Sequence, residues 1–325
     1  MASIEHIPTP QQPKAVLVSE LKELLIRACC RYQWMTVDDF WQYLRAVNGS
    51  PPTRNHVGKV VSSLAGGTDN YLHKFALPKT RSGQATHVFV PGASCREFLR
   101  KTGDGDGFVW TTPATMQGYS YSFIIHNLTA TRLAIGAALH LPPDCYIAET
   151  LLPYDMLRTP PRLSATDAQT PITLIPDLWL YIIADDGTEY PCWIEVDRGS
   201  ETRATFQRLL RARLLYIKSD QYHEYFGTRH VRLCYTITSS NPPDKDSRLN
   251  AILAWADEVL TKDGLAAWAP VIHVTTIEYE TLYDHLPRLF AQPLWYQPNN
   301  KSPVLLFAPI TPITTQETPR GLTSD

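Results

Sequence analysis

Two apolar runs, TLIPDLWLYIIA (173–184) and EYPCWIEV (189–196), stand on either side of Asp185-Asp186-Gly187. An Asp-Gly turn between β-forming runs predicts an antiparallel hairpin. The second run leads into a helical pattern over 202–222 with Phe206, Leu209, Leu210, Leu214 and Ile217 on one face, and then into VRLCYTIT (231–238). Upstream, IIHNLTATRLAIGAALH (124–140) reads as a helix and CYIAETLLP (145–153) as a strand. Downstream, 247–267 reads as a helix and VIHVTTIE (271–278) as a strand. Strands and helices in this order predict an α/β domain built on a central mixed sheet.

The first hundred residues follow a different plan. The segment 16–32 carries Leu17, Leu21, Leu24, Leu25 and Ala28 at helical spacing. Thr36 stands as an N-cap before Asp38 and Asp39, opening a helix with Phe40, Trp41, Tyr43 and Leu44. Gly49-Ser50-Pro51-Pro52 ends it. Thr53 opens a third helix bearing Val57, Val60, Val61 and Leu64, and Gly66-Gly67 closes it. Two strand-like runs follow, 71–77 and 86–91, joined by PKTRSGQ. Three short helices and a two-stranded ribbon are the order of a winged helix-turn-helix, whose third helix enters a major groove while the ribbon rides on phosphate.

The 325 residues, at 44% hydrophobic and 19% charged, fit about two globular domains. The expected division is an unpacked N-terminus (1–15), the helix-turn-helix domain (16–101), a Gly/Asp linker (102–110), the α/β domain (111–297) and a Pro/Thr-rich tail (298–325). A formal net charge of −2 argues against binding nucleic acid by bulk electrostatics. Charge is distributed unevenly, however. Between Thr53 and Lys101 lie Arg54, Lys59, Lys74, Lys79, Arg81, Arg96, Arg100 and Lys101 against Asp69 and Glu97, a surplus of six (8 minus 2). Arg54, Asn55, Lys59, Lys74, Lys79 and Arg81 are therefore the expected contacts to double-stranded DNA.

Several chemistries are excluded. No GxxxxGK[ST] run exists, which removes a P-loop ATPase. The six cysteines show no CxxC spacing and read as free thiols in a reducing cytoplasm. DGDG (104–107) lacks the later ligands of a Ca²⁺ loop. Ser200 has no nucleophile elbow around it. His126 and His140 flank an apolar helix and read as structural histidines. No apolar run is long enough to cross a membrane, and no signal peptide is visible.

The acids within the sheet-forming runs carry the chemical signal. Asp177 opens the second strand, Glu195 and Asp197 close the third, and Glu149 lies on the first. Ionised carboxylates in apolar strands cost several kcal/mol unless paired, and a cluster of them suits a hard cation such as Mg²⁺, or Mn²⁺ in its place. Pairing of Glu195 and Asp197 with Arg198 and Arg203 would explain the same residues without metal.

This arrangement, from about 124 to 238, resembles the PD-(D/E)xK nuclease superfamily, a restriction-endonuclease-like fold. The resemblance implies that Asp177 and Glu195 ligate the metal and that Asp197 and Glu149 join the catalytic set. The superfamily lysine is replaced by Asp197. The resemblance leaves Arg198, Arg203, Gln207, Arg211 and Lys218, along the next helix, to hold phosphate. Over nearly the whole chain, Glu149, Pro176-Asp177, the run from Glu195 to Glu201, Arg211 and Tyr216 resemble the replication-relaxation family of plasmids and integrative elements. That resemblance implies a cytoplasmic, DNA-associated role with replication or transfer proteins as partners. The second domain is then either a Mg²⁺-dependent nuclease or a catalytically silent scaffold.

Overall fold

Gly187, at φ +84°, turns the chain between the strands Leu178–Ala184 and Glu189–Asp197 of the computed structural model, which describes residues 18–66, 70–77, 86–103, 112–163, 172–238 and 242–308. Lys79 and Arg81, the 104–110 part of the linker and residues 309–325 lie outside the described residues. The N-terminal elements are α1 (Val18–Tyr32), α2 (Val37–Asn48), α3 (Arg54–Gly66), β1 (Leu72–Ala76), β2 (His87–Pro91) and α4 (Ala93–Thr102). Next come α5 (Pro113–Gln117), α6 (Tyr121–His140), β3 (Cys145–Leu151), α7 (Pro153–Met156), β4 (Arg162–Leu163) and β5 (Ile172–Thr173). The chain continues through β6 (Leu178–Ala184), β7 (Glu189–Asp197), α8 (Arg203–Lys218), α9 (Asp220–Phe226), β8 (Arg232–Thr238) and α10 (Pro242–Lys262). A 3₁₀ turn (Ala266–Val271), β9 (Ile272–Ile277), α11 (Leu282–Ala291), β10 (Trp295–Gln297) and β11 (Asn300–Val304) complete it.

The fold is α+β around a mixed seven-stranded sheet in the order β11-β10-β9-β8-β7-β6-β3. The β6–β7 hairpin is antiparallel, with Leu178 opposite Ile194. Crossovers through α8 and α10 return the chain parallel, so β7, β8 and β9 run together. Every residue of β8 is buried, as expected of a strand covered on both faces. On one face α8, α9 and α10 cover Trp179, Trp193, Leu233 and Tyr235. On the other, α6 and α11 cover Leu180, Ile182, Ile194 and Val196. Gly136 lets α6 and α11 approach, since a Cβ there would fall 2.3 Å from Leu286 Cδ1.

Thr36 caps α2 as its position predicts. Its hydroxyl accepts from Asp39 N at 3.3 Å, and Asp39 Oδ2 accepts from Thr36 N at 2.7 Å. The α3 helix buries Val57, Val60, Val61 and Leu64 and turns its other side to solvent. The β1–β2 hairpin is antiparallel, and Met35, between α1 and α2, adds a single bridge to Phe89 on β2.

Three departures stand out. The helix expected over 202–222 breaks at Ser219 (φ −83°, ψ 156°), which ends α8 and opens α9. The sheet continues beyond residue 298, where a tail was expected. Buried Arg232 anchors this extension, donating to Leu306 O at 2.7 Å and Ala308 O at 2.8 Å. Finally, α6 is shared between the two halves: Ile135 packs into the N-terminal core, while Ala130, Leu133, Ala134 and Ala137 pack on the sheet. Buried Asp39 of α2 accepts from Arg132 Nε of α6 at 2.9 Å and from Tyr283 OH of α11 at 2.8 Å, which fastens the halves together. Among the described residues, no helix is long and apolar enough to cross a membrane.

Candidate functional site

Strand alternation puts Trp193, Glu195 and Asp197 of β7 on one side of the sheet, toward α8 and α10. Glu195 Oε2 lies 2.7 Å from Nη2 of Arg213 on α8, and its Oε1 accepts from Trp193 Nε1 at 2.6 Å. Arg213 is buried as well; it also donates to Tyr235 OH at 3.2 Å, and its guanidinium lies 5.8 Å from the centre of that ring. Asp197 is held by both arms of Arg248 on α10, at 2.6 and 3.0 Å, and accepts from Gly199 N at 3.0 Å. Arg248 donates in addition to Glu201 O at 3.0 Å.

Asp177 turns elsewhere. It sits one residue before β6, where its Oδ2 accepts from Val196 N at 2.8 Å and its Oδ1 meets Nε2 of His126 on α6 at 2.8 Å. Thus the three carboxylates engage three different helices: α6 for Asp177, α8 for Glu195 and α10 for Asp197. Glu149 stands apart from them. It lies exposed on edge strand β3 opposite Tyr181, which pairs with Pro191. That is four residues, or about 13 Å along the strand, from the level of Glu195.

Burial pushes the Glu195 carboxyl up to about 7; Arg213 opposes the shift and the neighbouring Asp177 carboxylate adds to it. The buried Arg213 guanidinium would lose proton affinity by desolvation, but Glu195 and Tyr235 more than reverse this. Desolvation also works against charge on His126, yet the attraction of Asp177 and their hydrogen bond raise it on balance, with Arg198 in opposition. Glu201 is raised, first by burial.

The residues expected to hold phosphate divide into groups. Arg203 and Gln207 both bind Glu258, and Arg211 Nε meets Asp263 Oδ2 at 2.7 Å; both acceptors follow from the α10 segment. Lys218 is exposed at the end of α8. Arg198 is half-buried, and its Nε has no hydrogen-bond partner among the described residues. In the N-terminal half, Asn55, Lys59 and Lys74 are exposed, while Arg54 is engaged by Asp38 of α2 through Nε and, at 3.0 Å, through Nη2.

The donor chemistry can be tested against Mg²⁺. Both oxygens of Asp177, Glu195 and Asp197 already accept from N–H groups. Among the described residues, no three His, Cys, Asp or Glu side chains are grouped to hold a metal ion. The set as arranged does not fit that cation, and the guanidinium groups of buried Arg213 and half-buried Arg248 take its electrostatic place beside Glu195 and Asp197.

His126, Arg213 and Arg248 were not singled out from the sequence as members of this cluster. Arg213 did leave a trace there. It falls in the apolar stripe Phe206, Leu210, Ile217 at helical spacing, and a charge inside such a stripe demands a buried partner. Arg248 and His126 left none, because their partners are 51 residues away in both cases. No family model, curated protein or solved structure matches this chain.

Proposed function

We propose that this chain is a DNA-binding protein of the replication-relaxation type, in which a winged helix reads duplex DNA and a nuclease-like sheet serves as a catalytically silent scaffold. One observation carries the reading: the outer face of α3. Arg54, Asn55, His56, Lys59, Ser62 and Ser63 are exposed on this helix, which contains no acid, while its opposite face is buried. A helix so constituted presents donors to base edges and positive charge to phosphate. The β1–β2 hairpin, with Lys74 exposed, and the Met35 bridge to it support the winged-helix reading.

The silent role of the sheet is supported by Arg213 and Arg248, which neutralise Glu195 and Asp197 from within. A Mg²⁺-dependent nuclease, the other reading of these acids, would require Asp177 and Glu195 to exchange His126, Val196 N, Trp193 and Arg213 for the ion. Replication or transfer proteins of the same mobile element are the partners this role would need.

The decisive measurement is fluorescence anisotropy with a labelled duplex across a salt series. Asn55→Ala with Lys59→Ala is expected to weaken binding at least about tenfold and to reduce the salt slope by about one, with thermal unfolding unchanged. Unaltered affinity would remove α3 from the interface. Supercoiled plasmid with Mg²⁺ or Mn²⁺ tests the second reading: nicking by the wild type that Asp177→Ala and Glu195→Ala abolish would overturn the silent scaffold.

A further inference from the structure

The polar side chains on the outer face of α3 are not equally free. Arg54 is held by both carboxylate oxygens of Asp38, through Nε and, at 3.0 Å, through Nη2. Ser63 donates its hydroxyl to Val60 O of its own helix at 2.7 Å. Asn55, His56, Lys59 and Ser62 are exposed and have no side-chain hydrogen-bond or ion-pair partner among the described residues. Helix geometry orders these four. At roughly 100° per residue, Asn55 lies about 170° from the middle of the buried stripe Val57, Val60, Val61 and Leu64. Lys59 and Ser62 flank it at about 150° on either side, one and two turns further on, and His56 falls about 90° from the stripe. Asn55 also belongs to the first turn, the end of a recognition helix that meets base edges.

The chemistry of the Asn55 amide selects a base. A carboxamide sets one acceptor oxygen beside one NH₂ donor. Adenine presents the complement along the major groove, its N6 amino donor beside the N7 acceptor. Guanine offers two acceptors there, so the carboxamide oxygen would face one of them with no proton between. Thymine and cytosine each offer a single hydrogen-bonding group. Lys59 has no such selectivity: its ammonium is a compact charge on a flexible stem, drawn to phosphate on any sequence. Arg54, whose forked guanidinium matches guanine, is withheld by Asp38.

We infer that Asn55 reads an adenine in the major groove and is the specificity-determining residue of α3, while Lys59 supplies affinity that does not depend on sequence. The inference rests on the duplex-binding reading of α3 and adds to it the identity of one base pair.

The test is selection of duplexes from a randomised library by the full chain, with sequencing of the bound fraction. Wild type is expected to enrich an A·T pair at one position at least about tenfold. Asn55→Ala should lose the preference at that position, whereas Lys59→Ala should bind every sequence more weakly and keep it. A second measurement needs no variant to fold. Placing 7-deazaadenine at the selected position removes the N7 acceptor and should weaken wild-type binding at least about fivefold. An adenine preference that persists in Asn55→Ala would overturn the assignment, as would wild-type tolerance of 7-deazaadenine or selection of a different base that Asn55→Ala loses. Salt-dependent duplex binding with no base preference would overturn it and leave the α3 reading standing. Absence of duplex binding by the wild type would sink both.

Discussion

Helices α3 and α8 look alike in sequence, each with an apolar stripe flanked by basic residues, and they end up electrically opposite. On α3, Lys59 and Asn55 reach solvent with no acid on their own helix. On α8, Arg203 and Gln207 are taken by Glu258, Arg211 by Asp263 and Arg213 by Glu195. The difference lies in what folds beside each helix. The crossover topology lays α10 alongside α8, bringing its acids within reach, whereas α3 packs only its apolar side. A count of charges along a sequence therefore cannot say which of them remain available to a ligand.

Removing the inward charge of α8 should have the largest effect. Arg213→Ala leaves Glu195 buried without its cation, and such losses cost about 3–5 kcal/mol. Urea unfolding should show a stability loss of that order, far above that of any exposed basic residue on α3. A loss near zero would mean that Arg213 does not neutralise the cluster.

The pH dependence of stability gives the next largest effect. Glu195 is raised from 4.5 to about 7 in the folded chain, so between those values the folded state holds a proton that the unfolded state releases. Stability from this group accordingly falls as pH rises through that window and is level on either side. At about 1.4 kcal/mol per unit, the wild type should lose on the order of 3 kcal/mol relative to Glu195→Gln between pH 4.5 and 7. His126, also raised, adds stability below its unfolded value and loses it as pH rises through its folded one, so it sharpens the wild-type slope in the same direction. Parallel stability curves for wild type and Glu195→Gln would contradict the raised value.

On the solvent side of α8 the effects should be small. Arg203→Ala removes an exposed, solvent-screened pair and should leave stability unchanged, while Arg211→Ala removes a half-exposed pair worth about 0–1 kcal/mol. Duplex affinity should stay within about twofold of wild type in both. A tenfold loss would show that DNA displaces the acids of Glu258 and Asp263, and would return α8 to the interface.

What the sequence made legible was local. The Asp185-Asp186-Gly187 hairpin, the Thr36 cap and the apolar faces of α3 and α8 all depend on residues within a few positions of each other. What it hid was pairing across the fold. Asp177, Glu195 and Asp197 were visible as acids in apolar strands that needed compensation, but whether a metal or a side chain supplied it turned on the packing of α6, α8 and α10. The alternative pairing with Arg198 and Arg203 names the right kind of partner but other residues: Arg213 and Arg248 hold Glu195 and Asp197, while Arg203 is taken by Glu258. The strand at Asn300–Val304 was hidden in the same way, since its Pro/Thr-rich surroundings suggested a tail and the anchor just beyond it, Leu306 O, is held by Arg232 from 74 residues upstream.

Asp38 offers the finest test of the comparison, because it is the one place where α3 behaves like α8. The local surplus of six positive charges omitted Asp38, which lies in α2 and yet pairs with Arg54 of α3. Asp38→Asn should free that guanidinium for phosphate and raise duplex affinity about threefold at low salt, with the gain fading as salt screens it. Removing any acid near the interface raises affinity somewhat, so the same substitution in an Arg54→Ala background serves as the control. A smaller gain in that background isolates the contribution of the released arginine. An equal gain in both would mean that Arg54 does not reach DNA, leaving Asn55 and Lys59 to carry recognition on α3.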